Sequence, residues 1–242
     1  DPRVRKAFSL AIDRTYIVNQ VTQSGQVEAG GFVPSGVYDA DGADGDDFRT
    51  VGGDYYKPTD ADYEANCDEA RQLLADAGYP NGEGFPVVEY LYNTSDAHKA
   101  VAEALQFMWE EELGVKVTLN NQEWAAFLQT RKDGDYSIAR NGWIADYNDP
   151  ISFLDMWMTG GGNNDAQYAN DDYDALIKQA KTTTDNAERM DLLHQAEDKL
   201  IGEDSVLAPL YFYTQKYMLA DGIEGMYYCP LGYFFFGYTH QA

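Results

Sequence analysis

The chain has 242 residues, of which 44% are hydrophobic and 14% aromatic, enough for one substantial domain or two small ones. Its formal net charge of −24 argues against nucleic acids and anionic lipid surfaces as partners, because such polyanions are repelled. No run approaches the ~20 apolar residues that cross a bilayer. The chain opens at Asp1-Pro2 without a signal-like segment, so we expect a piece of a longer protein.

The first third of the chain predicts two helices joined by an irregular connection. Apolar residues recur at spacings of three and four over 2–22, which is typical of an amphipathic helix. The aspartate-rich stretch over 30–53 has glycine pairs at both ends, and we interpret it as a solvated surface excursion. Its acids do not fit the spacing of a calcium-binding loop. Thr59 or Asp60 can cap the next helix, over 63–77.

The middle of the chain alternates between strand and helix patterns. The predicted strands cover 87–92, 115–119 and 136–139, and the predicted helices cover 97–113, with Ser95 as its cap, and 122–132. This order is typical of an α/β sheet with helical crossovers. Further helices are predicted over 151–158, 172–181 and 186–201, followed by a buried strand over 206–213 and short extended pieces over 217–238.

Polar and aromatic residues follow the predicted strands at their carboxyl ends, where ligands of α/β sheets collect. They are Asn93-Thr94, the run 143–146 and Tyr213. Asp146 lies between Trp143 and Tyr147, where a carboxylate is poorly solvated unless a cation pairs with it. The alternative is a hydrated acid on a surface loop.

Cysteine and histidine side chains indicate no metal site. Cys67 and Cys229 are far apart in sequence, and a disulfide between them is neither required nor excluded. His98, His194 and His240 show no metal-ligand spacing. We therefore expect neither a metal nor a cofactor.

Several segments together resemble the C-terminal lobe of bacterial oligopeptide-binding proteins, the extracellular solute receptors of peptide ABC importers. The segments are the run from Ala139 to Pro150 and the ranges 1–14, 91–99, 120–124, 130–134 and 209–213. The resemblance covers nearly the whole chain apart from the Gly/Asp-rich segment between Tyr38 and Tyr56. It implies an α/β fold that is one lobe of a two-lobed, type II periplasmic-binding-protein-like architecture, with a mixed sheet flanked by helices.

The resemblance also implies a domain organisation and partners. Residues 1–215 correspond to the C-terminal ligand-binding lobe, and 216–242 to a segment that returns to an N-terminal lobe missing here. The implied function is the substrate-binding component of a peptide ABC importer, which binds short extended peptides on the extracellular side of the cytoplasmic membrane and passes them to a permease. Without the other lobe, the aromatic tail must pack locally, stay exposed or form a dimer.

Candidate ligand-binding residues follow from the same resemblance. Asp146 is expected to pair with the α-ammonium group of a peptide, Trp143 and Trp124 to wall side-chain pockets, and Arg140 and His98 to meet the terminal carboxylate. The remaining candidates are Arg131 at the pocket edge, Tyr213, and the main chain around Gly142, Ile144 and Ala145.

Two positions depart from the pattern of the family. Asn141 and Ile144 stand where its members carry small Ala and Cys residues, so Ile144 is expected to narrow a side-chain pocket.

Two other function classes stay open. A receptor for an oligosaccharide, opine or metal chelate fits the same fold. A hydrolase lacks both G-x-S-x-G and H-E-x-x-H, although Asp146 and Asp149 can be imagined as a glycosidase pair. We expect a binding protein and no enzyme.

Overall fold

The structure is a computed structural model that describes residues 1–57, 60–229 and 231–242. Its α-helices are α1 (Pro2–Leu10), α2 (Arg14–Tyr16), α3 (Phe48–Gly52), α4 (Asp60–Asp76), α5 (Asp96–Leu113), α6 (Trp124–Asp133), α7 (Ile151–Leu154), α8 (Asp171–Ala180) and α9 (Asn186–Glu197). Its strands are β1 (Val27–Glu28), β2 (Tyr38–Asp39), β3 (Gly42–Asp47), β4 (Val88–Asn93), β5 (Val117–Gln122), β6 (Ile138–Ala139), β7 (Tyr211–Phe212), β8 (Ile223–Glu224), β9 (Tyr227–Cys229), β10 (Tyr233–Phe235) and β11 (His240–Gln241). π-helical turns follow α2 and α9 directly.

The central sheet has three parallel strands in the order β5-β4-β6. β4 pairs with β5 over six residues, from Val88 to Asn93, whereas β6 pairs with the other side of β4 through two residues. Antiparallel pairs join β1 to β7, β2 to β3, β8 to β11 and β9 to β10. Parallel strands connected by α5 and α6 confirm the predicted α/β architecture.

Part of the core lies between β4 and α5. Apolar side chains of α5 recur at spacings of three and four, and Leu105 is fully buried. Trp109 packs on Phe8 of α1 with ring centroids 5.3 Å apart, and its Nε1 donates to the Phe8 carbonyl at 2.8 Å. Gly114 ends α5 in the left-handed conformation at φ +67°. β4 therefore has a rigid support on one face.

The predicted continuous helix over 2–22 is wrong, because α1 and α2 are separate. Arg14 is buried, and its guanidinium donates to the Ser9 carbonyl at 3.0 Å and to Ser9 Oγ at 2.9 Å. It thereby satisfies a carbonyl that the end of α1 leaves without a helical partner. Asp13 then starts α2 by accepting the Tyr16 N–H at 2.8 Å.

The predicted irregular excursion over 30–53 is also wrong, because β2, β3 and α3 lie within it. Phe48 is fully buried and stacks on His194 of α9 at 3.9 Å between centroids. Asp39 places a carboxylate oxygen 2.7 Å from His194 Nε2, and Asp47 caps α3 by accepting a backbone N–H. Of two aspartates interpreted as solvated, Asp39 therefore holds this segment against α9, and Asp47 caps α3.

Most other predicted elements are confirmed within a few residues. These are the helices predicted over 63–77, 97–113, 122–132, 151–158, 172–181 and 186–201 and the strands over 87–92, 115–119 and 136–139. The predicted cap at Thr59 or Asp60 lies outside the described residues and side chains. Ser95 is the N-cap residue of α5, but its side chain accepts no capping hydrogen bond.

The predicted buried strand over 206–213 is wrong in length and burial. β7 covers two residues, Tyr211 and Phe212, and both are half-buried. The reason is that β7 pairs only with the equally short β1 and lies outside the three-stranded sheet. The short extended pieces predicted over 217–238 are confirmed.

Cys67 and Cys229 are both free thiols. Among the described residues, every helix is too short or too polar to span a membrane.

Candidate functional site

The carboxyl ends of the three parallel strands meet at one edge of the central sheet. β4 ends at Asn93, β5 at Gln122 and β6 just before Arg140. The Arg140 N–H donates to the Leu91 carbonyl at 2.8 Å and so extends the β6 ladder by one bond. This edge is where a ligand of an α/β sheet is expected to bind.

The segment from Arg140 to Asp146 leaves the sheet at this edge with three unpaired residues in its middle. The Gly142 N–H donates to Asn141 Oδ1 at 2.8 Å, and the Asp146 N–H donates to Ser152 Oγ at 2.9 Å. Between them, the N–H and C=O groups of 143–145 have no hydrogen-bond partner within the described part of the chain. These groups are free to bond to an added backbone.

Side chains of the unpaired run alternate between the core and solvent. Trp143 and Ala145 pack against the core, whereas Ile144 is 67% exposed. An extended segment places successive side chains on opposite faces in this way. The run therefore resembles an edge strand whose backbone groups are not paired with a neighbouring strand.

The Asp146 carboxylate is exposed and forms no ion pair or hydrogen bond with any residue in 1–57, 60–229 or 231–242. Its own backbone N–H is fixed by Ser152, so the main chain that carries it is held in place. The arrangement leaves an anchored carboxylate that can accept hydrogen bonds from a cation supplied by a ligand.

Ser152 connects two of the candidate residues, and sequence reasoning missed it. It lies in α7, is buried, and accepts from Trp143 Nε1 through its carbonyl at 2.7 Å while its Oγ accepts from Asp146. The indole ring and the carboxylate are therefore held by one residue. A small hydroxyl residue just after Asp149-Pro150 was the available signal in the sequence.

Asp149 and Asn148 anchor the far end of the segment. Asp149 forms a two-pronged ion pair with Arg189 of α9, with both oxygens at 2.8 Å. Asn148 accepts from the Tyr38 N–H at 2.8 Å and donates to the Gly36 carbonyl at 3.0 Å. The Asp149 carboxylate is committed to Arg189, so the glycosidase interpretation loses one of its two acids.

Arg140 lies in a group of aromatic and imidazole side chains. Its Nη2 donates to Tyr213 Oη at 3.1 Å, and the Tyr213 ring stands perpendicular to Tyr211 at 5.4 Å. Tyr213 is 55% exposed, so one face of the phenol is open to a ligand. Among the described residues, Arg140 forms no ion pair with a carboxylate. Its charge is therefore available to an anionic group.

Burial lowers the pKa of His98 below its ordinary value of 6.5, and the nearby positive charge of Arg140 lowers this pKa further. The Nδ1 atom lies 3.4 Å from the Asn93 carbonyl, a contact that opposes both effects. Because the folded state disfavours the imidazolium, the contribution of the neutral ring to stability is complete above about pH 6.5. It is lost as the pH falls below that value.

Replacement of Arg140 by glutamine is expected to raise the pKa of His98, because one of the two effects that lower it is removed. The measurement is an NMR titration of the imidazole protons, with His194 and His240 as internal references. Arg71→Gln, a change of the same kind in an ion pair with Glu112, is the control and should leave His98 unchanged. An identical midpoint in both variants would place Arg140 too far from His98 to act on it.

Arg131 and Trp124 lie at opposite ends of α6. Trp124 is 52% exposed, and its ring stacks on Phe127 with the centroids 5.8 Å apart. It therefore offers a flat apolar surface. Arg131 is already engaged, because its Nε donates to Asp165 Oδ2 at 2.7 Å. The structure thus brings Arg131 to the Arg140–Asp146 segment as a paired cation.

Two further polar side chains at the sheet edge escaped sequence reasoning. Asn93 Oδ1 and Gln122 Oε1 are buried and have no hydrogen-bond partner within the described residues. They occupy paired positions at the ends of β4 and β5. Buried acceptors of this kind are normally satisfied, so this edge favours a molecule that supplies donors. In the described residues, His, Cys, Asp and Glu side chains nowhere gather in threes that can hold a metal ion.

Comparison with known proteins identifies relatives over most of the chain. The family described as bacterial extracellular solute-binding proteins, family 5 Middle, matches residues 1–165. The dipeptide-binding protein DppE of Bacillus subtilis (strain 168) is 38% identical over 95% of this chain and 40% of its own length. The periplasmic oligopeptide-binding protein OppA of Salmonella typhimurium is 37% identical over 93% of this chain and 39% of its own length.

A solved structure shows the same fold. Listeria monocytogenes OppA bound to peptide matches 99% of this chain and 44% of its own chain, with a TM-score of 0.80 and 27% sequence identity. The chain thus spans about 40% of the length of the curated relatives it matches. This match covers 99% of the chain and so includes the strands β8 to β11, whose described residues lie outside the core cluster.

Proposed function

The chain belongs to family 5 of the bacterial extracellular solute-binding proteins, and we propose that it forms the ligand-contacting part of a peptide receptor of an ABC importer. The receptor binds short peptides in extended form between two lobes and passes them to a membrane permease. It acts as a binding protein without catalysis, on the extracellular side of the cytoplasmic membrane. Residues 1–215 form the C-terminal lobe, and 216–242 return to an N-terminal lobe.

The observation that carries this proposal is the placement of two unpaired charges at the ends of one unpaired backbone segment. Arg140 lacks a carboxylate partner and Asp146 lacks any partner within the described residues. Between them lie the free N–H and C=O groups of 143–145. A peptide carries the complementary set, with an ammonium at one end, a carboxylate at the other and a backbone between.

The length of this segment limits the ligand. Five residues separate Arg140 from Asp146, and the six Cα-to-Cα steps between the two span at most about 20 Å in an extended chain. A peptide that places its two terminal charges against these residues therefore has up to about six residues. Because backbone hydrogen bonds do not depend on side chains, such a site accepts many sequences of suitable length.

Side-chain selection is expected to come from the aromatic rings at the site and from Ile144. Trp143, Trp124 and Tyr213 supply flat surfaces that bind apolar area without requiring one shape. Ile144 stands largely exposed and takes space next to the bound backbone, so it narrows one side-chain pocket. We therefore expect small side chains to be preferred at that point of the peptide.

The tail supports the proposed arrangement of lobes. Tyr217, Tyr227, Tyr233 and Phe236 are each more than half exposed, although aromatic rings of this size are usually covered. The covering partner in the proposal is the N-terminal lobe of the same protein. In a preparation of the 242-residue chain alone, association of two copies through this tail is the corresponding expectation.

The test compares free and N-acetylated peptides of three to five residues by thermal melting of the full-length, two-lobed protein. A ligand at 100 times its dissociation constant stabilises the folded state by about 2.7 kcal/mol. Free peptides should raise the melting temperature and acetylated peptides should not, because acetylation removes the ammonium that pairs with Asp146. Equal shifts with both forms would rule out this role of Asp146.

Two other functions are outcomes of the same experiment. Stabilisation by an oligosaccharide, an opine or a metal chelate, with no response to peptides, would identify a receptor for a different solute. Mass spectrometry of the peptide after incubation detects hydrolysis, which would identify an enzyme. The commitment of Asp149 to Arg189 supports binding over the glycosidase alternative.

A further inference from the structure

The guanidinium of Arg131 makes a set of contacts that fix its plane. Nε donates to Asp165 Oδ2 at 2.7 Å, and Nη1 donates to Asn141 Oδ1 at 2.8 Å and to the Arg140 carbonyl at 3.4 Å. The group also lies over the Phe127 ring at 5.2 Å from its centroid. A guanidinium held on three sides has little freedom to turn toward a ligand.

Asp165 is itself held in place beside Arg131. The ion pair is mostly buried, with side-chain exposures of 14% and 15%. The Asp165 carbonyl accepts from Tyr136 Oη at 2.7 Å, which ties this loop to the residues that lead into β6. The positive charge of Arg131 is therefore balanced inside the protein, in contrast to the charge of Arg140.

Asn141 joins this ion pair to the unpaired backbone segment. Its single Oδ1 accepts from Arg131 Nη1 at 2.8 Å and from the Gly142 N–H at 2.8 Å. The contact fixes the start of the 143–145 run, just as Ser152 fixes its end through Asp146. The free backbone groups thus lie between two anchored residues.

We propose that Arg131 is a positioning residue that acts through Asn141, and that it makes no direct contact with the terminal carboxylate of a ligand. Resting on the proposed function, this assigns the carboxylate to Arg140 and assigns the alignment of the 143–145 backbone to the group Asp165–Arg131–Asn141.

The first experiment measures amide hydrogen exchange of Gly142 in the 242-residue chain. Asn141→Leu removes the acceptor at nearly constant size, whereas Asn141→Asp keeps an oxygen acceptor and serves as the matched control. Exchange at Gly142 should become about tenfold faster in Asn141→Leu and in Arg131→Lys, and stay unchanged in Asn141→Asp. Amides of α5 report global stability and should not change in any variant.

The second experiment measures binding of an alanine tripeptide and of its C-terminal amide to the full-length protein by titration calorimetry. Arg131→Lys keeps the charge beside Asp165, but a single ammonium cannot reproduce the forked contact with Asn141. The dissociation constant should rise by the same factor for both peptides, about three- to tenfold, the loss expected for one hydrogen bond. Arg140→Lys should weaken binding of the free acid selectively.

Two results would overturn the proposal. One is a loss in Arg131→Lys that is at least tenfold larger for the free acid than for the amide, which would show direct contact with the carboxylate. The other is unchanged Gly142 exchange in both Asn141→Leu and Arg131→Lys. If the unmodified protein binds no peptide, the proposed function fails, and the exchange experiment still decides the positioning role by itself.

Discussion

Replacement of Arg49 by methionine is expected to lower the free energy of unfolding by about 3–5 kcal/mol, because it leaves the carboxylate of Glu197 buried without a counter-charge. Glu197 is fully buried, and its Oε1 lies 2.9 Å from Arg49 Nη1. Burial alone lowers the pKa of Arg49, but the charge and hydrogen bond of Glu197, together with Tyr55 and Asp54, raise it, and the net pKa lies above its ordinary value. The loss corresponds to a fall in melting temperature of roughly 6–20 °C, measured by circular dichroism.

Glu197 also binds two backbone N–H groups, and this determines which second substitution can restore the lost stability. Its Oε1 also accepts the backbone N–H groups of Phe32 and Val33, each at 2.8 Å. A second change, Glu197→Gln, removes the charge but keeps an acceptor for these two donors. The double variant Arg49→Met/Glu197→Gln should therefore recover most of the stability, whereas Arg49→Met/Glu197→Leu should not.

Arg71→Met is the matched control for this buried pair. Arg71 contacts Asp68 and Glu112 at the surface, where an ion pair contributes about 0–1 kcal/mol. A loss in Arg49→Met as small as that in Arg71→Met would mean that Glu197 takes up a proton or that water reaches the site. The pair matters for the candidate site because Arg49 lies in α3, directly after the β2–β3 hairpin, and Tyr38 of β2 and the preceding Gly36 contact Asn148.

Replacement of Asp146 by asparagine is expected to weaken binding of a free-amine peptide roughly 10- to 150-fold in the full-length protein. A charge-assisted hydrogen bond contributes about 1.5–3 kcal/mol, and the amide directs a donor at the ligand ammonium in place of a second acceptor. The N-acetylated peptide should bind both proteins with equal weakness. Titration calorimetry on the four combinations gives the coupling energy directly.

Asp135→Asn is the control for the change in net charge. It removes the same charge from an exposed carboxylate shortly before β6. Its effect on affinity should be less than twofold at physiological salt, where exposed charges are largely screened. Equal losses in Asp146→Asn and Asp135→Asn would mean that the acidic surface as a whole attracts the ligand and that Asp146 has no specific partner.

Much of the fold follows from local sequence patterns. α5 and Gly114 were predictable because apolar residues repeat with helical spacing and a glycine ends the helix. The break between α1 and α2 was not, since it depends on Arg14 reaching back to Ser9 and across to Pro209, 195 residues away. Periodicity does not detect a buried side chain that replaces helical hydrogen bonds.

The aspartate-rich segment shows a second limit of sequence reasoning. Asp47 before Phe48 was a readable helix-cap signal, and Asp47 does cap α3. Asp39 gave no such signal, because its partner His194 is 155 residues away. Composition indicated a solvated loop, whereas distant side chains determine the structure.

Sequence patterns pointed to most residues of the candidate site, but they did not show which of these residues pair with one another. Asn93 and the run 143–146 follow the ends of β4 and β6 at one sheet edge, as predicted, whereas Tyr213 follows β7, which lies outside the central sheet. Which charges are free could not be deduced, because Arg131 and Arg140 differ only in whether Asp165 lies within reach. Ser152 was overlooked since its importance comes from two contacts made by other residues.

The ladder between β4 and β6 is two residues long, which leaves the course of the 140–146 segment open to change by substitution. Because so little of the ligand-facing stretch is built into the sheet, its course depends on a few side chains at its borders. Under the proposed function, single exchanges at positions such as 141 and 144 are expected to change ligand preference while the folded scaffold stays intact. Changes in ligand specificity are therefore expected to come from substitutions at the sheet edge and not from substitutions in the core.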